Sequence, residues 1–112
     1  MNKILENYFI ETYPSMFVEM YGNPKKTCMA YGISIGDGWF NLIDSLCGKI
    51  QMRIKHYNTI SPVIFKQIKE KFGMLTIYYE GGDDIIEGYV GMAESLSGFI
   101  CEECGMMNET IG

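Results

Sequence analysis

The sequence lacks any apolar run approaching the ~20 residues of a membrane-spanning helix, so a transmembrane segment is not expected. Its first residues, Met1-Asn2-Lys3-Ile4-Leu5-Glu6-Asn7, form no continuous apolar stretch and meet Glu6 and Glu11 early. That is unlike a secretory signal peptide, and the cytoplasm is the expected location. Repeats, linkers and low-complexity runs are missing. So are a Gly-x-Gly-x-x-Gly or P-loop pattern and a serine in a nucleophile elbow, and no enzyme is expected on these grounds. Lys and Arg are absent from residues 72–112. There is one histidine, His56, so a closed metal site within one chain would have to draw mainly on the four cysteines.

What is present suits a single folded domain. The chain has 112 residues, 47% of them hydrophobic and 21% charged, which is too apolar for intrinsic disorder. The domain is expected to span residues 1–105, with 106–112 as a frayed tail. Nine methionines suit adaptable apolar contacts. The formal net charge is −5 and the pI about 4.8, which weighs against a broad nucleic-acid binder. Charge is unevenly placed. Residues 49–71 hold Lys49, Arg53, Lys55, Lys66, Lys69 and Lys71 against Glu70 alone, whereas residues 72–112 hold only acids. The plainer reading is that these blocks neutralise each other inside one fold. The functional reading is a local positive pocket for a small anion. A third is that acidic and basic faces meet across a symmetric interface.

Periodicity gives the elements. Ile4, Leu5, Tyr8, Phe9 and Thr12 predict an amphipathic helix over about 2–12, followed after Pro14 by a short helical piece over Ser15–Met20. Tyr21–Lys26 reads as a loop. Cys28–Ile35, bounded by Gly36-Asp37-Gly38, reads as a strand. Asp37 then looks like the N-cap of a helix over about 38–55, with Trp39 in its first turn and Phe40, Ile43, Leu46, Cys47 and Ile50 along one face. Val63–Phe72 is ambiguous, since Ile64, Ile68 and Phe72 fit a helical face while alternate residues also fit a strand. A β-hairpin turning near Phe72-Gly73-Met74 is preferred, with Leu75–Tyr79 as its second strand. Asp83 and Asp84 open a last helix with Ile86, Tyr89, Val90, Ala93, Leu96 and Ile100 as its apolar stripe. The order α, β, α, β, β, α predicts an α+β domain, a small and largely antiparallel sheet of about three strands packed against three or so helices. Trp39, Phe40, Ile43, Leu46, Ile77, Tyr89, Val90, Ala93 and Leu96 are the expected core.

Two constellations could carry chemistry. Arg53, Lys66, Lys69 and Lys71 are candidate charges of an anion pocket, with Trp39 and Tyr78 as stacking groups for a nucleotide base. Taken singly, each is more simply read as a solvated strand residue or an ordinary core aromatic. Cys101-x-x-Cys104 has the spacing at which one turn aims two thiolates at one metal ion. The pair can be a half-site completed by a second chain, a redox pair, or two plain thiols. It follows a helix rather than opening one, which disfavours redox catalysis, and plain thiols are preferred. His56, in a connector, reads as a surface or capping group.

The blocks Gly36-Asp37-Gly38-Trp39-Phe40…Leu42-Ile43…Leu46-Cys47, Lys69-Glu70-Lys71-Phe72-Gly73…Leu75…Tyr78-Tyr79, Gly81-Gly82-Asp83-Asp84, Met92-Ala93-Glu94-Ser95 and Cys101-Glu102-Glu103-Cys104-Gly105 resemble, in order and spacing, a family of small uncharacterised proteins encoded by phages, prophages and bacteria. The resemblance covers roughly residues 12 to 105. It implies a small accessory phage-type protein acting in the host cytoplasm, and supplies no activity. Longer members carry a further Cys/His-containing segment after Cys-x-x-Cys-Gly, which looks like a zinc site. This sequence lacks that segment, so no cofactor is expected and Cys101 and Cys104 form at most a half-site for zinc. Members often carry arginine where Thr76 stands here.

Together these features lead to two expectations. The first is a non-enzymatic binding protein, a host-defence antagonist that sequesters a small nucleotide or other anionic signal as a sponge, or that blocks a host immune protein directly. The second is a zinc-ribbon-like regulatory module that binds nucleic acid or the transcription machinery, weakened by the missing ligands and the acidic pI. A homo-oligomer is expected over a monomer, with no surface assignable.

Overall fold

The computed structural model describes residues 1–107. Helix α1, Lys3–Thr12, starts where the Asn2 side chain accepts the Leu5 amide, 3.0 Å away. Pro14 follows, and residues 15–20 form successive turns rather than a helix, burying Met16 and Phe17. A short 3-10 turn at Asp37–Trp39 leads into α2, Phe40–His56, whose last turn carries Arg53, Lys55 and His56 at the negative end of its dipole. Strands β1, Ile64–Lys71, and β2, Met74–Glu80, form an antiparallel hairpin. Helix α3, Asp84–Ser97, opens on Asp83, whose carboxylate accepts the Ile86 amide. The α+β class is as the periodicity predicts.

The expected third strand is where sequence and structure part. Cys28–Ile35 is not a strand: Thr27 caps a 3-10 turn over Cys28–Tyr31. The cause is Glu6, a buried carboxylate that accepts the Ile33 amide at 2.6 Å and the Tyr21 hydroxyl at 2.5 Å. The chain curls around this group, and an alternating strand could not. Within this segment only Ser34 bonds to β1, in a single parallel bridge with bonds to the Ile68 carbonyl and from the Glu70 amide. The sheet therefore has two strands.

Both edges of this hairpin are nonetheless covered. On the β1 side lie Ser34 and the Met16 carbonyl, which accepts the Phe65 amide. On the β2 side α3 lies alongside, and its side chains act as a third strand. Ser97 Oγ accepts the Leu75 amide and Glu94 Oε2 the Ile77 amide, both at 2.9 Å. Ser97 is consequently buried, in a helix position where sequence alone predicts a polar surface residue. Lys66 is the extra residue of a β-bulge, so Phe65 and Ile68 both face the core.

Trp39, Ile43, Leu46, Ile77, Val90 and Ala93 are buried as expected, and Phe40 and Tyr89 partly so. Leu96 is not: it is 38% exposed on the wall of a groove between α2 and α3, because Ile86, Val90, Ala93 and Ser97 form the inward face. Met106 and Met107, expected to fray, are tied back: the Met106 carbonyl accepts the Cys101 amide and Met107 bridges Ile100. The rest of the expected tail, 108–112, lies outside the described residues.

Candidate functional site

The basic block separates into two groups. Arg53 grips Asp83 through two nitrogens, Nη2 at 2.7 Å and Nε at 3.0 Å from Oδ2, and its guanidinium stacks over Tyr57. This joins the end of α2 to the cap of α3. The guanidinium bonds hold the Asp83 carboxyl below its usual range, helped by the Ile86 amide. Lys66 pairs with Glu19 and lies 3.5 Å from Glu80. For these two residues the neutralisation read as the plainer alternative is what the fold contains. Trp39 is 1% exposed and its indole Nε1 donates to the Ile100 carbonyl, so its ring offers no face for a base to stack on. The six candidate residues do not converge on one pocket.

The other group does converge. Cross-strand pairs Lys69–Thr76, Lys71–Met74 and Gln67–Tyr78 place Lys69, Lys71 and Tyr78 on the hairpin's outer face. Lys69 Nζ lies 5.6 Å from the centre of the Tyr78 ring, which is half exposed. Neither Lys69 nor Lys71 makes an ion pair among the described residues.

Phe72, which sequence reasoning overlooked, completes this face. The turn has two residues, and both have positive φ: Phe72 at 54° and Gly73 at 81°. Such a turn favours Asn-Gly or Gly-Gly, because a bulky side chain in the left-handed region costs about 1 kcal/mol or more. Phe72 is also 93% exposed, the most exposed large hydrophobic side chain of the described residues, and Lys71 Nζ lies 6.0 Å from its ring. Glu70 steadies the turn by accepting the Gly73 amide at 2.6 Å. The sequence signal was a phenylalanine before glycine at a hairpin turn.

A second site joins two blocks far apart in sequence. The Cys101–Gly105 turn sits on Gly36–Trp39: the Gly38 amide donates to the Glu102 carbonyl at 2.7 Å and the Gly36 amide to Glu102 Oε2 at 2.8 Å. A Cβ at position 36 or 38 would collide with the Glu102 or Cys101 carbonyl, which is why this loop is Gly-Asp-Gly. Asp37 does not cap α2 as expected. Its carboxylate accepts the backbone and side-chain amides of Asn2 instead. In the cysteine turn the backbone amides of Cys104 and Glu103, with the Cys104 thiol, hold the Cys101 thiol below its usual range. Cys104 is exposed, Cys28 is exposed at a distance in sequence, and Cys47 is buried with its thiol pushed well up by desolvation. Among the described residues no three His, Cys, Asp or Glu side chains gather as a metal site. No described helix is long and apolar enough to cross a membrane.

No family model matches the chain, and neither a curated protein nor a solved structure does.

Proposed function

We propose that this chain is a non-enzymatic accessory binding protein that blocks a partner protein through the tip of its β-hairpin. Phe72 is the apolar anchor, and Lys69, Lys71 and Tyr78 form a basic and aromatic surround that fits an acidic rim on the partner. In the phage-type setting implied by the resemblance, the partner is a host immune protein. The observation that carries this reading is Phe72: an aromatic ring 93% exposed at φ 54°, where an asparagine or glycine would cost less. Blocking a protein is preferred to sequestering a nucleotide because Arg53 and Lys66 already have acid partners, Trp39 is buried, and the remaining charges lie on an open face. The test is capture from host lysate with four baits: wild type, Phe72→Asn, Lys69→Glu with Lys71→Glu, and Tyr31→Ser as an exposed control. One protein retained by wild type and the control, and lost from the other two, supports the reading. Equal retention by all four, or a thermal shift of the wild type with cyclic or linear nucleotides, contradicts it.

The zinc-ribbon-like alternative is favoured by a separate observation, the Cys101-x-x-Cys104 turn bonded through Glu102 to Gly36 and Gly38, with the Cys101 thiol held below its usual range. Cys101 and Cys104 would supply two of four tetrahedral ligands, and the other two must come from elsewhere. Elemental analysis decides: zinc at one per chain or one per two chains, lost in Cys101→Ser, supports this module, and zinc-free protein excludes it.

A further inference from the structure

A cavity separate from the hairpin tip lies at the other end of β1, between the last turns of α2 and the loop after α1. Its volume is about 270 Å³, near the size of pockets that take small organic molecules. The floor is apolar and closed, since Tyr13, Met16 and Val63 are all buried. Gln51, Ile54 and Lys55 form one wall, because positions three and four apart share a helix face. Pro14, Ser15 and Pro62 complete the rim, and all three are exposed.

The walls are fixed before anything enters. Tyr13 donates its amide to the Phe9 carbonyl at 2.9 Å and its hydroxyl to Asp44 Oδ1 at 2.7 Å. The Met16 carbonyl accepts the Phe65 amide at 2.9 Å. A Cβ at position 81 would collide with the Pro62 carbonyl, so Gly81 packs directly against that residue. The rings of Pro14 and Pro62 lock their own φ angles. A ligand therefore meets a formed cavity and orders little of the chain on binding.

Charge selects the ligand. Among the described residues Lys55 is the one charged group lining the cavity, and it makes no ion pair. Gln51, one turn earlier, adds a side-chain amide, and Ser15 adds a hydroxyl. The Tyr13 hydroxyl is already donated to Asp44. The polar chemistry is thus one ammonium and two neutral donors above an apolar floor. This suits an anion of single charge with an apolar body. A nucleotide would bring several charges to one ammonium and a polar body to an apolar floor.

We propose that this cavity binds a small apolar carboxylate, its charge on Lys55 and Gln51 and its hydrocarbon against Tyr13, Met16 and Val63. None of these residues belongs to the hairpin tip, so the site stands or falls independently of what the tip captures.

Octanoate is the probe, titrated into the full chain while the methionine methyl groups are followed by NMR, with 1-octanol as the uncharged comparison. Octanoate has about ten non-hydrogen atoms, and a dissociation constant on the order of 0.1–1 mM is expected for that size. The Met16 methyl should shift saturably, whereas Met92, on α3 and outside this cavity, should not. Lys55→Met should lower the ratio of octanoate to 1-octanol affinity about tenfold, the loss of one charge-assisted contact. Ser15→Trp blocks the mouth and should abolish binding of both. Both substituted positions are exposed, and circular dichroism confirms that the variants fold. No saturable shift at Met16, a shift at Met92 in its place, an unchanged affinity ratio in Lys55→Met, or full binding by Ser15→Trp overturns the proposal.

Discussion

Two turns in this molecule are built from similar material and behave in opposite ways. Cys101–Gly105 and Phe72-Gly73 each contain a glycine with φ near 80° and each carry side chains of recognisable chemistry. The cysteine turn is clamped: Glu102 bonds Gly36 and Gly38, Trp39 bonds Ile100, and two glycines leave no room between the loops. Among the described residues the hairpin turn is held by its own strands and by Glu70, and its aromatic ring stands in solvent. The difference separates residues that the fold holds from residues that stand free of it. A strained or restricted backbone is expected where packing requires it, and at Phe72 nothing among the described residues requires it.

The largest effect should come from the clamped turn. Gly38→Ala forces the Cys101 and Glu102 carbonyls to move and should cost about 3 kcal/mol, at the upper end for overpacking. Denaturant unfolding reads this directly. A cost near zero would show that the two loops are not locked together.

At the free turn the sign should reverse. Phe72→Asn relieves the left-handed phenylalanine and should raise stability by about 1 kcal/mol, with loss of partner capture. A destabilised Phe72→Asn would mean the ring supports the fold, and the contrast between the turns would collapse.

The charged groups sharpen the same division. Lys69→Glu with Lys71→Glu should leave stability within about 0.5 kcal/mol, as for surface sites without partners. Arg53 and Asp83, by contrast, tie α2 to α3. Because the folded state holds the Asp83 carboxyl below its ordinary value of 3.8, the stability it contributes is present above that pH and is lost as pH falls through the lower folded value. Acid unfolding of Asp83→Asn should therefore be less steep below about pH 4 than that of wild type. Equal slopes would show that the pair contributes nothing.

The smallest effect is chemical. Cys101 should alkylate fastest of the four cysteines near neutral pH, with a midpoint below the ordinary thiol value of 9.0, and Cys47 should react only on unfolding. Cys28 or Cys104 outpacing Cys101 would argue against a turn that favours the Cys101 thiolate.

The elements with clean periodicity were legible in the sequence. Both long helices, the hairpin and its turn fell where the apolar spacing placed them, because side-chain period is a local property. Cys28–Ile35 was not legible, since its shape depends on a buried Glu6 more than twenty residues earlier, and no local pattern marks that carboxylate as buried. The same holds for Ser97 and Glu94, whose bonds to the edge of β2 look like ordinary helix polarity in one dimension. The basic block was legible as a block, but which of its members meet acids depended on three-dimensional neighbours: Asp83 for Arg53, Glu19 and Glu80 for Lys66. Lys69, Lys71 and Tyr78 emerged together because strand alternation alone places them, whereas the turn at Phe72-Gly73 was placed but the exposure of Phe72 was not, because an apolar ring beside Ile68 and Ile64 reads as one more residue of an inward face.

The central claim is that the hairpin tip, and not the clamped cysteine turn, makes contact with a partner. A photo-crosslinking amino acid placed at position 72 of the full chain in host cells tests it most directly, compared with the same group at position 103. A discrete cross-linked partner at 72, lost when Lys69→Glu and Lys71→Glu are added and absent at 103, is the predicted result. A partner captured at 103 and none at 72 would contradict the account.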